Sequence, residues 1–137
     1  MKLFFRMLVV PLFVLVAACA MLPTHKDDLG KKNDDFMLRV RWFDFPGAAL
    51  YFDDEPGQEF IERFAEEEDL RITAFTTTRV DVKGPQDSVT IHYLLEYYIL
   101  PSASVKKKRF TLTWEQVAAP LAGEEQWHIA EPFPEIP

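Results

Sequence analysis

Six apolar side chains at strictly alternating positions, Val89, Ile91, Tyr93, Leu95, Tyr97 and Ile99, fix what this chain can fold into. Between them stand Thr90, His92, Leu94, Glu96 and Tyr98, so one face of an extended segment is to be buried and the other left half open to water. A strand with one buried face needs partners, and the sequence around it supplies them. Leu70 onward has the same period of two, with Ile72, Ala74, Thr76, Thr78 and Val80 assigned to one face, up to a turn over Lys83-Gly84-Pro85-Gln86-Asp87. Pro101-Ser102-Ala103-Ser104 ends the alternating segment; Phe110, Leu112 and Trp114 mark a third strand, and Trp127 and Ile129 a short fourth. Hairpin spacing of this kind predicts an antiparallel sheet of about four strands. Pro132, Pro134 and Pro137 are expected to end the ladder, because proline has no N–H to give it.

Before Leu70 the period is helical. Asn33 to Phe45 fits a strand through Phe36, Leu38, Val40 and Trp42, and a helix through Phe36, Met37, Val40 and Phe43. Asn33 as N-cap, Asp34 and Asp35 in a first turn and Pro46 at the end favour the helix. A short helix follows over Pro46 to Phe52, and a third begins at Asp53 or Asp54. In the third, Phe60, Ile61 and Phe64 form an apolar face, and Glu59, Arg63 and Glu67 are spaced as surface ion-pair neighbours. Helices collected ahead of strands predict an α+β fold, N-terminal helices packed on a curved antiparallel sheet, in a single domain over residues 33–137. Residues 19–32 contain Pro23, Thr24, His25, Lys26, Asp27, Asp28, Gly30, Lys31 and Lys32 with no apolar period, and are read as a tether. His25 has no second His or Cys at a ligand spacing, so no metal and no cofactor are expected.

The beginning of the chain carries an address. Lys2 and Arg6 precede a run from Met7 to Ala18 that is almost wholly apolar, and Val16-Ala17-Ala18 leads into Cys19, the single cysteine. The run is shorter than the ~20 apolar residues a spanning helix needs, and it contains Pro11. A plain secretory signal, cut near Ala17, fits the charge and the apolar run as well. The lone thiol directly after small residues resembles a bacterial lipoprotein signal with its lipobox. That resemblance implies removal of residues 1–18, diacylglycerol on the Cys19 sulfur and acylation of the new amino terminus. Ala20 in place of Asp implies, by the same resemblance, the outer membrane and a periplasmic domain. Three acyl chains would anchor durably where one holds only marginally.

Charge narrows the partners. Without Lys2 and Arg6 the 15 basic residues fall to 13 against 22 acidic ones, a formal charge of -9, which repels nucleic acid and anionic head groups. Lys106-Lys107-Lys108-Arg109 is the basic exception; alternation sends Lys106 and Lys108 to one side and Lys107 and Arg109 to the other, where lysines discourage edge pairing. Pairing with the Glu66-Glu67-Glu68-Asp69 run of a second copy is the functional alternative, and Thr90, His92, Leu94, Glu96 and Tyr98 offer an outer sheet face for a homodimer.

Arg41-Trp42, Ala48-Ala49-Leu50, Phe60-Ile61-Glu62-Arg63, Tyr97-Tyr98-Ile99-Leu100-Pro101-Ser102 and Trp127, in this order, resemble small bacterial lipoproteins of the nuclear transport factor two-like fold, over Asn33 to Pro134. The resemblance implies a sheet wrapped around helices as a cone. Similar enzymes, ketosteroid isomerases and dehydratases, place an Asp or an Asp/His pair in that cone; no such residue carries over to a position here. His92 and Glu96 stand on the outer face about 13 Å apart along the strand, which is too far for a dyad. His128 alternates against Trp127 and Ile129 as a half-exposed sheet residue. Tyr93 and Tyr97, with Trp42, Phe64 and Trp114, are the candidate lining of an apolar or aromatic ligand pocket, packed core being the simpler use of the same side chains. The expectation is a lipid-anchored accessory or interaction module without catalytic residues, ahead of a small-ligand pocket and, third, a pocket enzyme.

Overall fold

The computed structural model describes residues 25–82, 87–118 and 125–136. Cys19, the signal segment 1–18 and the turn at Lys83 to Gln86 lie outside them. The chain divides into two compact units, Met1–Gly30 and Lys31–Pro137; of the first, the described part is the opening of a helix, and all that follows concerns the second.

Helix α1 runs His25–Arg41, α2 Phe45–Ala49 and α3 Asp54–Ala65. They precede strands β1 (Leu70–Val82), β2 (Ser88–Ile99), β3 (Lys106–Ala118) and β4 (Glu125–Ile129). All neighbouring strands pair antiparallel in the order β1-β2-β3-β4. This is an α+β fold with an open four-stranded sheet. No helix among the described residues is long and apolar enough to cross a membrane.

Two local expectations need correction. Helix α1 begins at His25, eight residues before the anticipated start, so His25 to Lys32 are helical and not an extended tether. Asp28 and Lys32 are spaced acid before base by four residues, an order that supports helix, and Leu29 in the same segment is 7% exposed. Asn33 is consequently no N-cap; it sits inside α1 and is 5% exposed. In β1 the register shifts between Ile72 and Ala74 and again between Thr77 and Arg79. The first bulge turns the strand over, so Leu70, Ile72 and then Phe75 are buried while Thr76 is exposed; the second turns it back, and Val80 pairs with Ile91 on the original side although it is 51% exposed. Strand β2, which has no such shift against β3, keeps the alternation that its sequence announces.

Helix α1 ends in a left-handed turn at Phe43 (φ 63°). Phe43 N donates to Val40 O at 3.2 Å and Asp44 N to Arg39 O at 2.9 Å, the paired bonds of a Schellman motif with a phenylalanine where glycine is usual. The reversal lets Asp44 open α2 by accepting from Gly47 N at 3.1 Å. Between α2 and α3 the chain touches the sheet: Ile129 N donates to Tyr51 O at 2.6 Å, and Phe52 bridges Ile129 in parallel.

The sheet's helix-covered face is aromatic. Phe36 of α1 meets Phe75 of β1 and Trp114 of β3, both edge-on at 5.9 Å. Phe45 stacks on Phe64 of α3 at 4.4 Å, and Phe52 on Phe60 at 5.2 Å. Phe60 and Phe64 are buried as expected, but Arg63 makes no ion pair among the described residues: its Nη1 donates to Phe133 O at 2.7 Å. The residues after β4 therefore do more than end the ladder. Phe133 and Ile136 are 3% and 5% exposed, and Phe133 enters the interior among the rings of α3 and the sheet.

Candidate functional site

The interior between α1 and the sheet holds one chain of hydrogen bonds. Trp114 Nε1 donates to Tyr93 Oη at 2.9 Å, and the Tyr93 hydroxyl donates to Asn33 Oδ1 at 2.5 Å. Asn33 Nδ2 donates to Thr77 Oγ1 at 3.0 Å, and that hydroxyl in turn points at Met37 Sδ, 3.6 Å away. Four elements supply these groups: β3, β2, α1 and β1. Burial pushes the Tyr93 hydroxyl well above the ordinary phenol range, with the Trp114 N–H a smaller opposing influence, so it stays a neutral donor. Among the described residues no buried side-chain nitrogen or oxygen lacks a partner.

The anticipated pocket residues divide. Tyr93 and Trp114 are in direct contact, 1% and 0% exposed. Phe64 belongs to the same interior through Phe133, which lies 5.6 Å from it and 5.1 Å from Phe110, the ring stacked on Tyr93. Tyr97 is buried on the same face of β2, four residues further along. Trp42 does not join them: it is 71% exposed. It caps α1 just before the left-handed turn, and with Leu38, one helical turn earlier and 53% exposed, it faces water.

A second cluster sits at the edge of the interior. Tyr51 Oη donates to Asp35 Oδ2 at 2.6 Å, Arg39 Nε to the same oxygen at 2.5 Å, and Arg39 Nη1 to Asp44 Oδ2 at 2.6 Å. The Arg39 bond first, then the Tyr51 hydroxyl, hold the Asp35 carboxyl below the usual carboxylate range, while burial and then Asp35 push the Tyr51 phenol up to about 12. A carboxyl whose folded-state pKa is depressed contributes stability above its unfolded value, and the contribution is lost as pH falls through the folded pKa. Asp35→Asn is therefore expected to flatten the loss of stability below about pH 4, read from urea midpoints across an acid series.

The outer face is polar and paired. His92 Nε2 lies 2.8 Å from Asp81 Oδ2, which also accepts from Arg79 Nη2 at 2.5 Å; the His92 bond first and the Arg79 bond second lower the Asp81 pKa. Glu96 pairs instead with Lys107 at 2.6 Å, so His92 and Glu96 have different partners, consistent with their separation along β2. Lys107 and Lys108 part as alternation requires, Lys108 donating to Glu135 O on the other side. His128 Nδ1 stands 3.3 Å from Asp53 Oδ1, half-buried on β4. No group of three or more His, Cys, Asp or Glu among the described residues is arranged to hold a metal.

Asn33 and Arg63 are participants that sequence reasoning assigned elsewhere, and Thr77 and Phe133 are ones it did not single out. The available signal was Phe133 itself, a large aromatic set between Pro132 and Pro134 after the last strand period.

No protein-family model and no curated protein matches the chain. Among solved structures, it is similar to a SEC-C motif containing protein from Psychrobacter arcticus, with a TM-score of 0.51 at 9% sequence identity. The likeness covers 74% of this chain and 55% of that one, so this chain spans about half the length of its structural neighbour. At that identity the similarity establishes a shared α+β fold.

Proposed function

We propose that the chain is a lipoprotein carried on the periplasmic side of the outer membrane by lipid on Cys19, and that its α+β domain serves as a non-catalytic accessory or interaction module. The observation that supports a module over a pocket protein is the closed interior relay. Trp114, Tyr93, Asn33 and Thr77 spend their hydrogen bonds on one another, and the rings around them are side chains of the same domain. A pocket that orients a ligand keeps polar groups turned toward the space it fills. Here two of the candidate hydrogen-bonding groups, the Tyr93 hydroxyl and the Trp114 N–H, are turned toward each other. For the anchor, the support is the charge, apolar run and small residues before a single cysteine.

Metabolic labelling with radioactive palmitate tests the anchor. The wild-type chain is expected to take up label and to fractionate with outer membranes, and Cys19→Ser to do neither. Label retained by Cys19→Ser would refute it. Native mass spectrometry of the wild-type protein tests the module: the polypeptide mass plus acyl groups is expected, and a copurified small molecule that Tyr93→Phe releases would move the reading to a pocket at the relay.

A further inference from the structure

The segment after β4 runs on beside β3 without a strand's backbone ladder. Ile129 pairs with Trp114, and Ala130 N donates to Thr113 O at 2.9 Å. Beyond that point each step forward matches a step back along β3: Thr113 Oγ1 donates to Glu131 Oε1 at 3.0 Å, Phe133 packs on Phe110 at 5.1 Å, and Lys108 reaches the Glu135 carbonyl. Pro132 and Pro134 have no N–H for a ladder, so side chains hold the segment in place of ladder bonds.

What they hold resembles a ligand in its site. The Phe133 ring is surrounded by Phe36, Phe60, Phe64, Phe75 and Phe110, with centroids 5.1 to 6.4 Å away. Its carbonyl, two carbons from the ring, accepts from Arg63 Nη1 at 2.7 Å. A guanidinium is thus matched to a neutral oxygen, although its planar fork suits a carboxylate, and a charged acceptor gives the shorter and stronger bond. The Trp114–Tyr93–Asn33–Thr77 relay makes no hydrogen bond to this segment.

We propose that Glu131–Ile136 is the built-in occupant of a site for small aryl carboxylates, and that such a ligand enters by displacing Phe133 and taking its place against Arg63. This goes beyond the accessory-module reading, whose anchor is tested at Cys19 and not at the chain's end. The ligand has one ring, a short saturated link and a carboxylate, the arrangement of 3-phenylpropanoate. A neutral amide of the same shape gains only what Phe133 already has, so it competes poorly with a segment tethered beside the site.

The test is amide hydrogen exchange on the full chain in detergent, with 3-phenylpropanoate and 3-phenylpropanamide as probes. The acid is expected to speed exchange at Phe133 and Glu135 by roughly tenfold or more while the amide leaves it unchanged, as a charged in place of a neutral acceptor implies. Arg63→Met is expected to abolish the response to the acid. Phe133→Leu, which keeps an apolar plug and with it the fold, is expected to lower the concentration of acid needed. Unchanged exchange in the wild type at saturating acid would overturn the proposal. So would equal effects of acid and amide, a response surviving Arg63→Met, or binding confined to Phe133→Leu, which would describe an engineered cavity.

Discussion

Replacing Phe36 by alanine is expected to destabilise the domain by about 3–5 kcal/mol, the range for emptying a buried phenylalanine site. Phe36 is fully buried and stands where the helices meet the sheet. Tyr51, Phe52, Phe75 and Trp114 approach it edge-on at 5.8 to 5.9 Å, with Phe133 at 6.4 Å. Those rings come from the loop between α2 and α3, from β1, from β3 and from the terminal segment, so no single element can close over the hole. For a domain near a hundred residues, each kcal/mol moves Tm by roughly 4–8 °C, so a fall of about 15 °C or more is expected. Urea unfolding followed by tryptophan emission checks it, since Trp114 is one of the facing rings. Leu38→Ala on the exposed side of the same helix is the control and is expected to stay within about 0.5 kcal/mol of wild type. Equal losses in the two variants would show that helix propensity, and not the ring cluster, sets the cost.

Tyr93→Phe has the second largest expected effect, although it removes a single oxygen. That oxygen accepts from Trp114 and donates to Asn33, so its loss leaves two buried groups without partners. At about 1–3 kcal/mol for each unsatisfied buried group, a loss of about 2–6 kcal/mol follows. Asn33→Leu breaks the same Tyr93–Asn33 bond from the other side and leaves the tyrosine donor unmatched. In the double variant neither end of that bond remains to be left unsatisfied. Its cost is therefore expected to fall short of the sum of the single costs by about 1–2 kcal/mol. Additive losses in this cycle would mean that Asn33 and Tyr93 act independently and that the relay is not a unit.

Much of the sheet could be read before folding, and the reason is local. A strand with one buried face must alternate, and β2 alternates without interruption from Val89 to Tyr97. The α+β order followed from helical periods preceding strand periods. Strand β1 was misread between Ile72 and Arg79 because a bulge costs one residue of phase and leaves no mark in composition. Trp42 was counted with the pocket, but it lies one helical turn from exposed Leu38 and two positions from buried Val40, so the phase of α1 turns it to water. Arg63 fitted a helix-surface pattern equally well, and only the return of a distant segment gave it a carbonyl to hold.

By itself the sequence determined the quantities that depend on neighbours in the chain: strand period, the succession of helices and strands, the acidic balance, and a lone cysteine behind an apolar run. Tertiary structure alone decided which polar groups meet inside. Asn33 lies 44 positions from Thr77 and 60 from Tyr93, and Arg63 lies 70 from Phe133. A buried donor must find an acceptor, but nothing in the chain's order says which one, because the choice is made by the packing that removes water from both.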